Sequence, residues 1–147
     1  MPRTPEETFR RLLELLLDKD MDGIADLWAP DGEAEFPFAT GGAPTRLDGR
    51  EAVRRYLDGY PDRMDVTDIP SVTVHHTQDP DTVVVEFTAN GRTVSTDTPY
   101  RMDYIAVVTV KDGLIASYRD YWSPVAAARA AGTLPELLAA LDATVAR

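Results

Sequence analysis

The residues best suited to chemistry lie in one segment near the end of the chain, which reads Tyr-Arg-Asp-Tyr-Trp-Ser-Pro from Tyr118 to Pro124. It follows a strand-like run, and its final Ser-Pro pair can cap and begin a helix. Because alternate side chains of a strand share a face, Tyr118, Asp120 and Trp122 are expected to point the same way. A carboxylate between two large aromatic side chains on an apolar face is costly unless it is paired or used. Asp120 is therefore the first candidate for chemistry.

The chemistry that this setting favours is proton transfer. An apolar pocket disfavours the charged form of a carboxyl group, so the pKa of Asp120 is expected to rise. Such a group can exchange a proton with a substrate carbon or oxygen near neutral pH. Tyr104 or Tyr118 could donate a hydrogen bond to a developing enolate or alkoxide. The alternative is a structural carboxylate, tied to a buried tyrosine hydroxyl or to a helix N-terminus near Ser123.

A second candidate for proton transfer comes from two adjacent histidines. His75 and His76 lie on a predicted strand, so one of them must face inward, and the apolar Val72 and Val74 indicate that it is His76. One interpretation is a lone histidine in the core or at the rim of a pocket. The other is a second catalytic group beside Asp120.

Motifs for cofactors and metals are lacking in the sequence. Two histidines without ligand spacing do not make a metal site, and the sequence contains no cysteine. No phosphate-binding loop or cofactor motif is present either, so any reaction is expected to use neither a cofactor nor a metal.

Length and composition predict one domain over residues 1–147, with 44% hydrophobic residues for a core. The N-terminus lacks a signal-peptide layout, and no apolar run approaches the roughly 20 residues that span a membrane. We therefore expect a soluble, cytoplasmic protein. A net charge of −10 argues against nucleic acid and anionic membrane as partners.

Apolar residues at helical spacing, together with capping signals, predict helices at both ends of the chain. Pro61 is expected to end the third helix, and the segment from Ala29 to Gly32 to end the second. The predicted helices run from Thr4 to about Lys19, from Asp20 to Trp28, from a capping box at Asp48 to Tyr60, from Pro124 to Gly132, and from Thr133 onward.

The middle of the chain has the alternating pattern of strands. Asn90-Gly91 could form a tight hairpin or a bulge inside one of them, and the pattern favours neither. A first strand should carry Ala34, Phe36 and Phe38 on one face. The other predicted strands are Ser71 to Thr77, Thr82 to about Thr93, Tyr100 to Val110, and Leu114 to Trp122.

The turn before the last strand predicts how the last two strands pair. Lys111-Asp112-Gly113 suits a three-residue loop with a glycine bulge, which would place Tyr104 opposite Asp120. A two-residue loop would instead set Asp120 beside Ile105. The first arrangement is favoured because it matches the more apolar faces of the two strands.

Helices followed by a meander of strands predict an α+β fold, with the helices on one face of a mainly antiparallel sheet. A strongly curved sheet covered in this way leaves a conical apolar pocket. The residues expected to line that pocket and to bind substrate beside Asp120 and Tyr104 are Trp28, Phe36, Tyr56, Tyr60, Phe87, Met102, Tyr118 and Trp122.

Five short motifs resemble the SnoaL-like branch of the nuclear transport factor 2-like superfamily, and the resemblance extends from Phe9 to Gly132. It implies a cone-shaped, curved, mixed or antiparallel sheet covered on its concave face by N-terminal helices, a cystatin-like architecture. The motifs are Asp20-Met-Asp-Gly-Ile24, Glu35-Phe-Pro37, Asp48-Gly-Arg-Glu51, Asp112-Gly-Leu-Ile115 and the segment from Tyr118 to Pro124.

The resemblance implies a site with a single carboxylate. Arg-Asp-Tyr-Trp is similar to Arg-Asp-Tyr-Phe of limonene epoxide hydrolase and to Arg-Glu-Phe of the phenazine-biosynthesis A/B proteins, and in both comparisons the acid falls on Asp120. The other hydrolase triad members fall near Phe87 and Ala89. The base and the oxyanion-hole tyrosine of ketosteroid isomerase correspond to Phe36 and a position near Leu12. SnoaL itself is an aldol-type polyketide cyclase with one key aspartate. Of the family's site patterns, this single carboxylate in an aromatic pocket is the one that the sequence matches.

Together, the residues and the resemblance lead us to expect a cofactor-free cyclase or isomerase of secondary metabolism. Asp120 would give and take protons on a hydrophobic polyketide- or terpenoid-like molecule. The alternatives are a binding or assembly protein without turnover, and an epoxide hydrolase or dehydratase. The outer sheet face, with Ile105, Val107 and Tyr121, is expected to form a homodimer, as members of this family commonly do.

Overall fold

A computed structural model describes the backbone of residues 1–145 and the side chains of residues 1–143. Its helices are α1 (Pro5–Leu17), α2 (Met21–Ala25), α3 (Arg50–Leu57), α4 (Tyr60–Arg63), α5 (Pro124–Ala131) and α6 (Leu134–Val145). Its strands are β1 (Trp28–Glu35), β2 (Arg46–Asp48), β3 (Met64–His76), β4 (Thr82–Thr93), β5 (Thr98–Lys111) and β6 (Leu114–Trp122).

The strands form one curved, unclosed sheet in the order β2-β1-β6-β5-β4-β3. Only β1 and β6 pair in parallel; the other neighbours are antiparallel. Helices α1 and α3 come early in the chain and pack against the sheet, and α2 lies between them in sequence and contacts both. The predicted fold class, α+β with a curved mixed sheet and N-terminal helices, is therefore confirmed.

Helix α1 begins as its capping box predicts. Thr4 Oγ1 accepts a hydrogen bond from the backbone of Glu7 at 3.2 Å, and the Glu7 carboxylate accepts one from the backbone of Thr4 at 3.0 Å. Phe9 is fully buried among core residues of the sheet.

The described part of the chain contains no helix long and apolar enough to cross a lipid bilayer.

The segment after α2 differs from the prediction. Trp28 opens β1 instead of ending a helix, and Ala29 to Gly32 continue the strand through an irregularity in its pairing with β6. Gly32 permits this, because a Cβ there would lie 2.4 Å from the carbonyl oxygen of Ile115. The glycine therefore marks a close backbone approach within the sheet, not a stop.

Further differences concern the neighbouring elements. Phe38 is 58% exposed and packs on Tyr121 of the outer face, so it does not share the inner face with Phe36. Asp48 belongs to β2, and Gly49 precedes α3 without a side-chain cap. Pro61 lies in the first turn of α4 instead of ending α3, since a proline there loses no helical hydrogen bond.

The hairpin between β5 and β6 has a two-residue turn, not the predicted three-residue loop. Asp112 and Gly113 both have positive φ, 54° and 79°, as a two-residue hairpin turn with the twist of the strands requires. The pairing then shifts between Thr109 and Val110, so Asp120 lies opposite Ala106. The prediction that Tyr104 lies opposite Asp120 was therefore wrong.

The bulge in this hairpin has two consequences for the faces of β6. It restores the match of even-numbered residues on both strands, with Tyr104 opposite Trp122 and Ala106 opposite Asp120. It also turns Ile115 into the core, where it is fully buried, although strict alternation from Asp120 would place Ile115 on the outer face. A two-residue loop plus one bulge thus brings Asp120 to the expected face by a different route.

Asn90 and Gly91 form neither of the two structures considered. Both remain in β4, paired on one side with β5 and on the other with β3, and the irregularities lie in β3. Gly91 is needed because a Cβ there would lie 2.6 Å from the hydroxyl oxygen of Tyr100 and 2.4 Å from the carbonyl oxygen of Asp65.

Candidate functional site

A cavity of about 330 Å³ lies between the helices and the concave face of the sheet. It falls within the size range of small-molecule sites, and most of its lining is apolar. The sequence-predicted residues that line it are Trp28, Phe36, Tyr56, Tyr60, Phe87, Met102, Tyr104, Tyr118, Asp120 and Trp122. The curved sheet therefore brings together side chains from β1, α3, α4, β4, β5 and β6.

Asp120 is the carboxyl group of this cavity. Its Oδ1 atom is shielded from solvent and has no hydrogen-bond partner among the described residues. Burial raises the pKa of Asp120 to about 7, because desolvation disfavours the charged form. The group is therefore divided between its acid and base forms near neutral pH, which suits it to both directions of proton transfer.

One alternative structural role for Asp120 was a bond to a buried tyrosine hydroxyl, and no tyrosine among the described residues donates to its shielded Oδ1 atom. The other was a bond to a helix N-terminus near Ser123. That terminus is satisfied locally, because the Ser123 hydroxyl accepts a hydrogen bond from the backbone of Ala126 at 3.1 Å. The shielded oxygen of Asp120 is thus not engaged by α5.

The tyrosines of the cavity retain their protons. Burial raises the pKa of Tyr104 and Tyr118 well above the ordinary value, and the nearby Asp120 charge acts in the same direction. Burial likewise raises the pKa of Tyr56 and Tyr60, again with a contribution from Asp120. Around the carboxyl group, therefore, these side chains are neutral phenols whose hydroxyls can act as donors.

Ring contacts fix the aromatic walls. Phe87 stacks on Tyr104 with centroids 4.9 Å apart, and Trp28 lies 5.4 Å from Tyr118. The indole nitrogen of Trp28 donates to the carbonyl of Glu33 at 3.2 Å, which orients that ring further. Such contacts hold the walls in defined positions, as a site that orients a substrate requires.

The cavity has an acidic group in its described lining but no basic one. Its described lining contains one carboxyl group and no lysine, arginine or histidine. Arg63 acts on the pKa of Tyr56, where it opposes the larger effects of burial and of Asp120. In the described part of the chain, no three His, Asp or Glu side chains cluster as metal ligands would.

His76 lies outside this cavity. It shares a face with Val72 and Val74, but it is the last residue of β3, where its side chain is 71% exposed. Its Nε2 atom lies 3.2 Å from a carboxylate oxygen of Glu6 on α1. His75 is also exposed and pairs with Glu86. The alternation predicted the face correctly but could not show where the covering helix ends, so His76 does not join the site.

Other lining residues were not singled out from the sequence. Most belong to the apolar stripes of helices or to alternating strand positions, and that periodicity is the signal that could have found them. They are Leu12, Leu16, Ile24, Ala34, Leu47, Val53, Leu57, Met64, Val66, Ala89, Ala127 and Ala131.

Comparison with known families and sequences gives three close matches. The profile of the SnoaL-like domain family matches residues 9–118. The uncharacterized protein YesE of Bacillus subtilis is 37% identical over 126 residues, covering 86% of each chain. The uncharacterized PhzA/B-like protein PA3332 of Pseudomonas aeruginosa is 36% identical over 113 residues, covering 77% of this chain and 79% of that one.

Solved structures share the fold. A proposed isomerase from Bacillus subtilis is 36% identical, with a TM-score of 0.84 and coverage of 88% of this chain and 93% of that one. A proposed polyketide cyclase from Pseudomonas putida has a TM-score of 0.72 at 16% identity, covering 88% and 98%. An NTF2-like protein from Burkholderia xenovorans has a TM-score of 0.69 at 21% identity, covering 89% and 99%.

Proposed function

The chain belongs to the SnoaL-like domain family, and from that premise we propose that it is a general acid/base enzyme, a cyclase or isomerase. Its substrate is a hydrophobic small molecule of the polyketide or terpenoid kind, and Asp120 is the residue that gives and takes the proton. The observation that carries the proposal is the shielded, unpartnered carboxyl oxygen of Asp120 at a cavity with room for a ligand.

The open space beside Asp120 favours a chemical role for its carboxyl group over a purely structural one. An unpartnered buried carboxyl group costs free energy, and a closed core would replace it with an apolar side chain. Here Trp122 and Tyr104 line an open cavity of about 330 Å³ instead of filling it. Asp120 is thus one of the residues that line a cavity with room for a ligand, which supports a chemical role.

The chemistry follows from the protonation states. In its ionised form Asp120 removes a proton from a carbon next to a substrate carbonyl, and the carboxylic acid so formed returns a proton elsewhere on the same molecule. Tyr104 or Tyr118, which stay protonated, donate a hydrogen bond to the oxygen that gains charge. General acid/base catalysis of this kind contributes about 10² to 10⁴ in rate.

The cavity also bears on the hydrolase alternative. Epoxide opening by an Asp-Arg-Asp triad needs an arginine and a second carboxylate, and the corresponding positions lie near Phe87 and Ala89 of the lining. One carboxyl group among phenols and hydrocarbons supports transfer of a single proton within one molecule more than activation of a water. We therefore place cyclisation or isomerisation ahead of hydrolysis.

The test uses Asp120→Asn and Asp120→Ala beside the wild type on a panel of polycyclic ketones and terpenoid or polyketide precursors in D₂O. Mass spectrometry detects both product formation and solvent deuterium bound to carbon. We expect both variants to lose at least about 10²-fold in rate. Asp103→Asn, an exposed carboxylate on the other face of the sheet, is the matched control and should keep full activity. Unchanged rates in both Asp120 variants would reject the role, and ligand binding without turnover would indicate a binding protein.

A homodimer belongs to the same proposal. The outer face of the sheet has a surface groove lined by Phe38, Ile105 and Tyr121, and Ile105 is 42% exposed. Arg101 and Asp103, also exposed, are among the polar residues that line the same groove. Exposed apolar side chains with a polar rim are typical of protein interfaces. Sedimentation should show a dimer for the wild type and a monomer for Ile105→Glu, and a monomeric wild type would contradict the dimer.

A further inference from the structure

We propose that the ligand of the cavity carries one basic nitrogen in an otherwise apolar framework, and that it binds as an ammonium ion against Asp120. This inference rests on the proposed function, because it names the substrate class of the same site.

The balance of charge in the cavity is the first argument. The described lining residues include one acid and no base, so an ionised Asp120 has no counter-ion of its own. Its Oδ1 atom also lacks any hydrogen-bond donor among the described residues. A buried charge is stabilised when it is both paired and hydrogen-bonded, and an ammonium ion supplies the charge and the donor in one group.

The aromatic lining is the second argument. A cation is attracted to the face of a tryptophan, tyrosine or phenylalanine ring, and this attraction grows when water is excluded. Rings surround the carboxyl group from several elements of the fold, and the tyrosines among them stay neutral. The titratable groups that respond to Asp120 are Tyr56 of α3, Tyr60 of α4, Tyr104 of β5 and Tyr118 of β6.

An anionic ligand is excluded by the same features. It would lie beside the carboxyl group of Asp120 with no lysine, arginine or histidine in the described lining to offset the repulsion. A neutral ligand could accept a hydrogen bond from protonated Asp120 or donate one to the ionised form, but it would leave the charge of the ionised form unpaired. The cation supplies both a hydrogen-bond donor and the opposite charge.

The volume of the cavity limits the size of the ligand. At about 30 Å³ for each water, the 330 Å³ hold on the order of eleven waters, or a compact ligand of roughly ten to fifteen non-hydrogen atoms. Two rigid frameworks of about this size give sets of probes that share a framework and have a cationic, a neutral or an anionic polar group. These are adamantylamine, adamantanol and adamantanecarboxylate, and naphthylmethylamine, naphthylmethanol and naphthoate.

Isothermal titration at pH 8 compares the three charge types on each framework. We expect the amine to bind about tenfold or more tightly than the alcohol, and the carboxylate to bind least. In Asp120→Asn the affinities for the amine and for the alcohol should be about equal. Asp103→Asn should keep the preference for the amine, which separates the cavity from a general attraction of amines to a surface with a net charge of −10.

A pH series on the wild type tests the same point without any variant. With the pKa of Asp120 at about 7, amine binding at pH 5.5 must first displace the carboxyl proton. Affinity should therefore be about 30-fold weaker at pH 5.5 than at pH 8, with close to one proton released at the lower pH and almost none at the higher. The alcohol should show no such dependence and no proton release.

Three results would overturn the inference. They are equal or tighter binding of the alcohol than of the amine on both frameworks, an amine preference that survives in Asp120→Asn, and no amine binding on either framework. Each of these can occur while turnover of a neutral ketone still depends on Asp120, and the proposed acid/base function would then remain. Amine selectivity together with full turnover by Asp120→Asn would reject the function and keep the binding site.

Discussion

Asp120→Asn should change how the free energy of unfolding depends on pH. The pKa of Asp120 is raised from 3.8 to about 7 in the folded protein, whereas the unfolded chain should show the ordinary value. Between these two values the folded protein binds more protons than the unfolded chain. The contribution of Asp120 to stability is therefore fully present below about pH 4 and is lost as pH rises through about 7.

The magnitude follows from the same two pKa values. A difference of about three, at about 1.4 kcal/mol for each pKa unit, corresponds to about 4 kcal/mol between pH 4 and pH 8. This is an upper limit, because Asp120 is only partly buried and its contact with solvent relieves part of the desolvation. An asparagine has no charge to bury, so the variant lacks this contribution at every pH.

The assay is urea unfolding followed by tryptophan fluorescence, at half-unit steps from pH 4 to pH 8. The free energy of unfolding of Asp120→Asn minus that of the wild type should rise with pH by up to about 4 kcal/mol. Other groups cancel in this difference. Two parallel curves would refute the reasoning, since they would mean that Asp120 titrates alike in the folded and unfolded chains.

Asp103→Asn is the matched control for this experiment. Its carboxylate accepts a hydrogen bond from the Thr88 hydroxyl at 2.7 Å, which lowers the pKa of Asp103 below its ordinary 3.8. The sign is therefore opposite: its stabilisation is present above about pH 4 and is lost as pH falls further. From pH 5 to pH 8 this variant should run parallel to the wild type.

Three further predictions follow from contacts elsewhere in the fold. Gly91→Ala should destabilise the protein by about 1–3 kcal/mol in urea unfolding, since its Cβ would lie 2.6 Å from the Tyr100 hydroxyl and 2.4 Å from the Asp65 carbonyl; an unchanged midpoint would contradict this close approach. His76→Ala should leave ligand affinity and turnover unchanged and shift stability by no more than about 0.5 kcal/mol, because its side chain is exposed away from the cavity; a loss of turnover would place it in the site. Thr4→Ala should cost about 1 kcal/mol through the lost cap of α1, whereas Thr4→Ser should cost little because its hydroxyl can still accept the bond; equal losses in both would exclude the cap as the cause.

The two strands whose bounds were predicted correctly each have a neighbouring strand on both edges. Thr82 to Thr93 and Leu114 to Trp122 occur with the predicted bounds, because β-branched and aromatic residues are frequent in both and turn residues flank them. The edge strand β2 was missed because it has only three residues. The first half of β3 was missed because Pro70 and two bulges interrupt its pattern.

The cavity lining could be predicted because it depends on whether a strand residue has an odd or even number (its parity), and less on which residues pair across strands (the register). Strand alternation and helical spacing decided which side chains face inward, and the bulge near Ala116 preserved that parity while changing the partner of Asp120. What alternation cannot show is how far a helix covers a strand. The same rule predicted that Tyr104 and His76 both face inward, but Tyr104 lines the cavity whereas His76 is exposed to solvent.

The most direct test of the account is the titration of the Asp120 carboxyl carbon by NMR, with carbon-13 at the γ position of aspartate. The signal is assigned as the one missing from Asp120→Asn. We predict a midpoint near pH 7, because burial without a partner disfavours the charged form. If Asp120 instead titrated near pH 4, as exposed aspartates do, water or a hydrogen-bond donor would be stabilising its ionised form. The proposed proton transfer would then lose its basis.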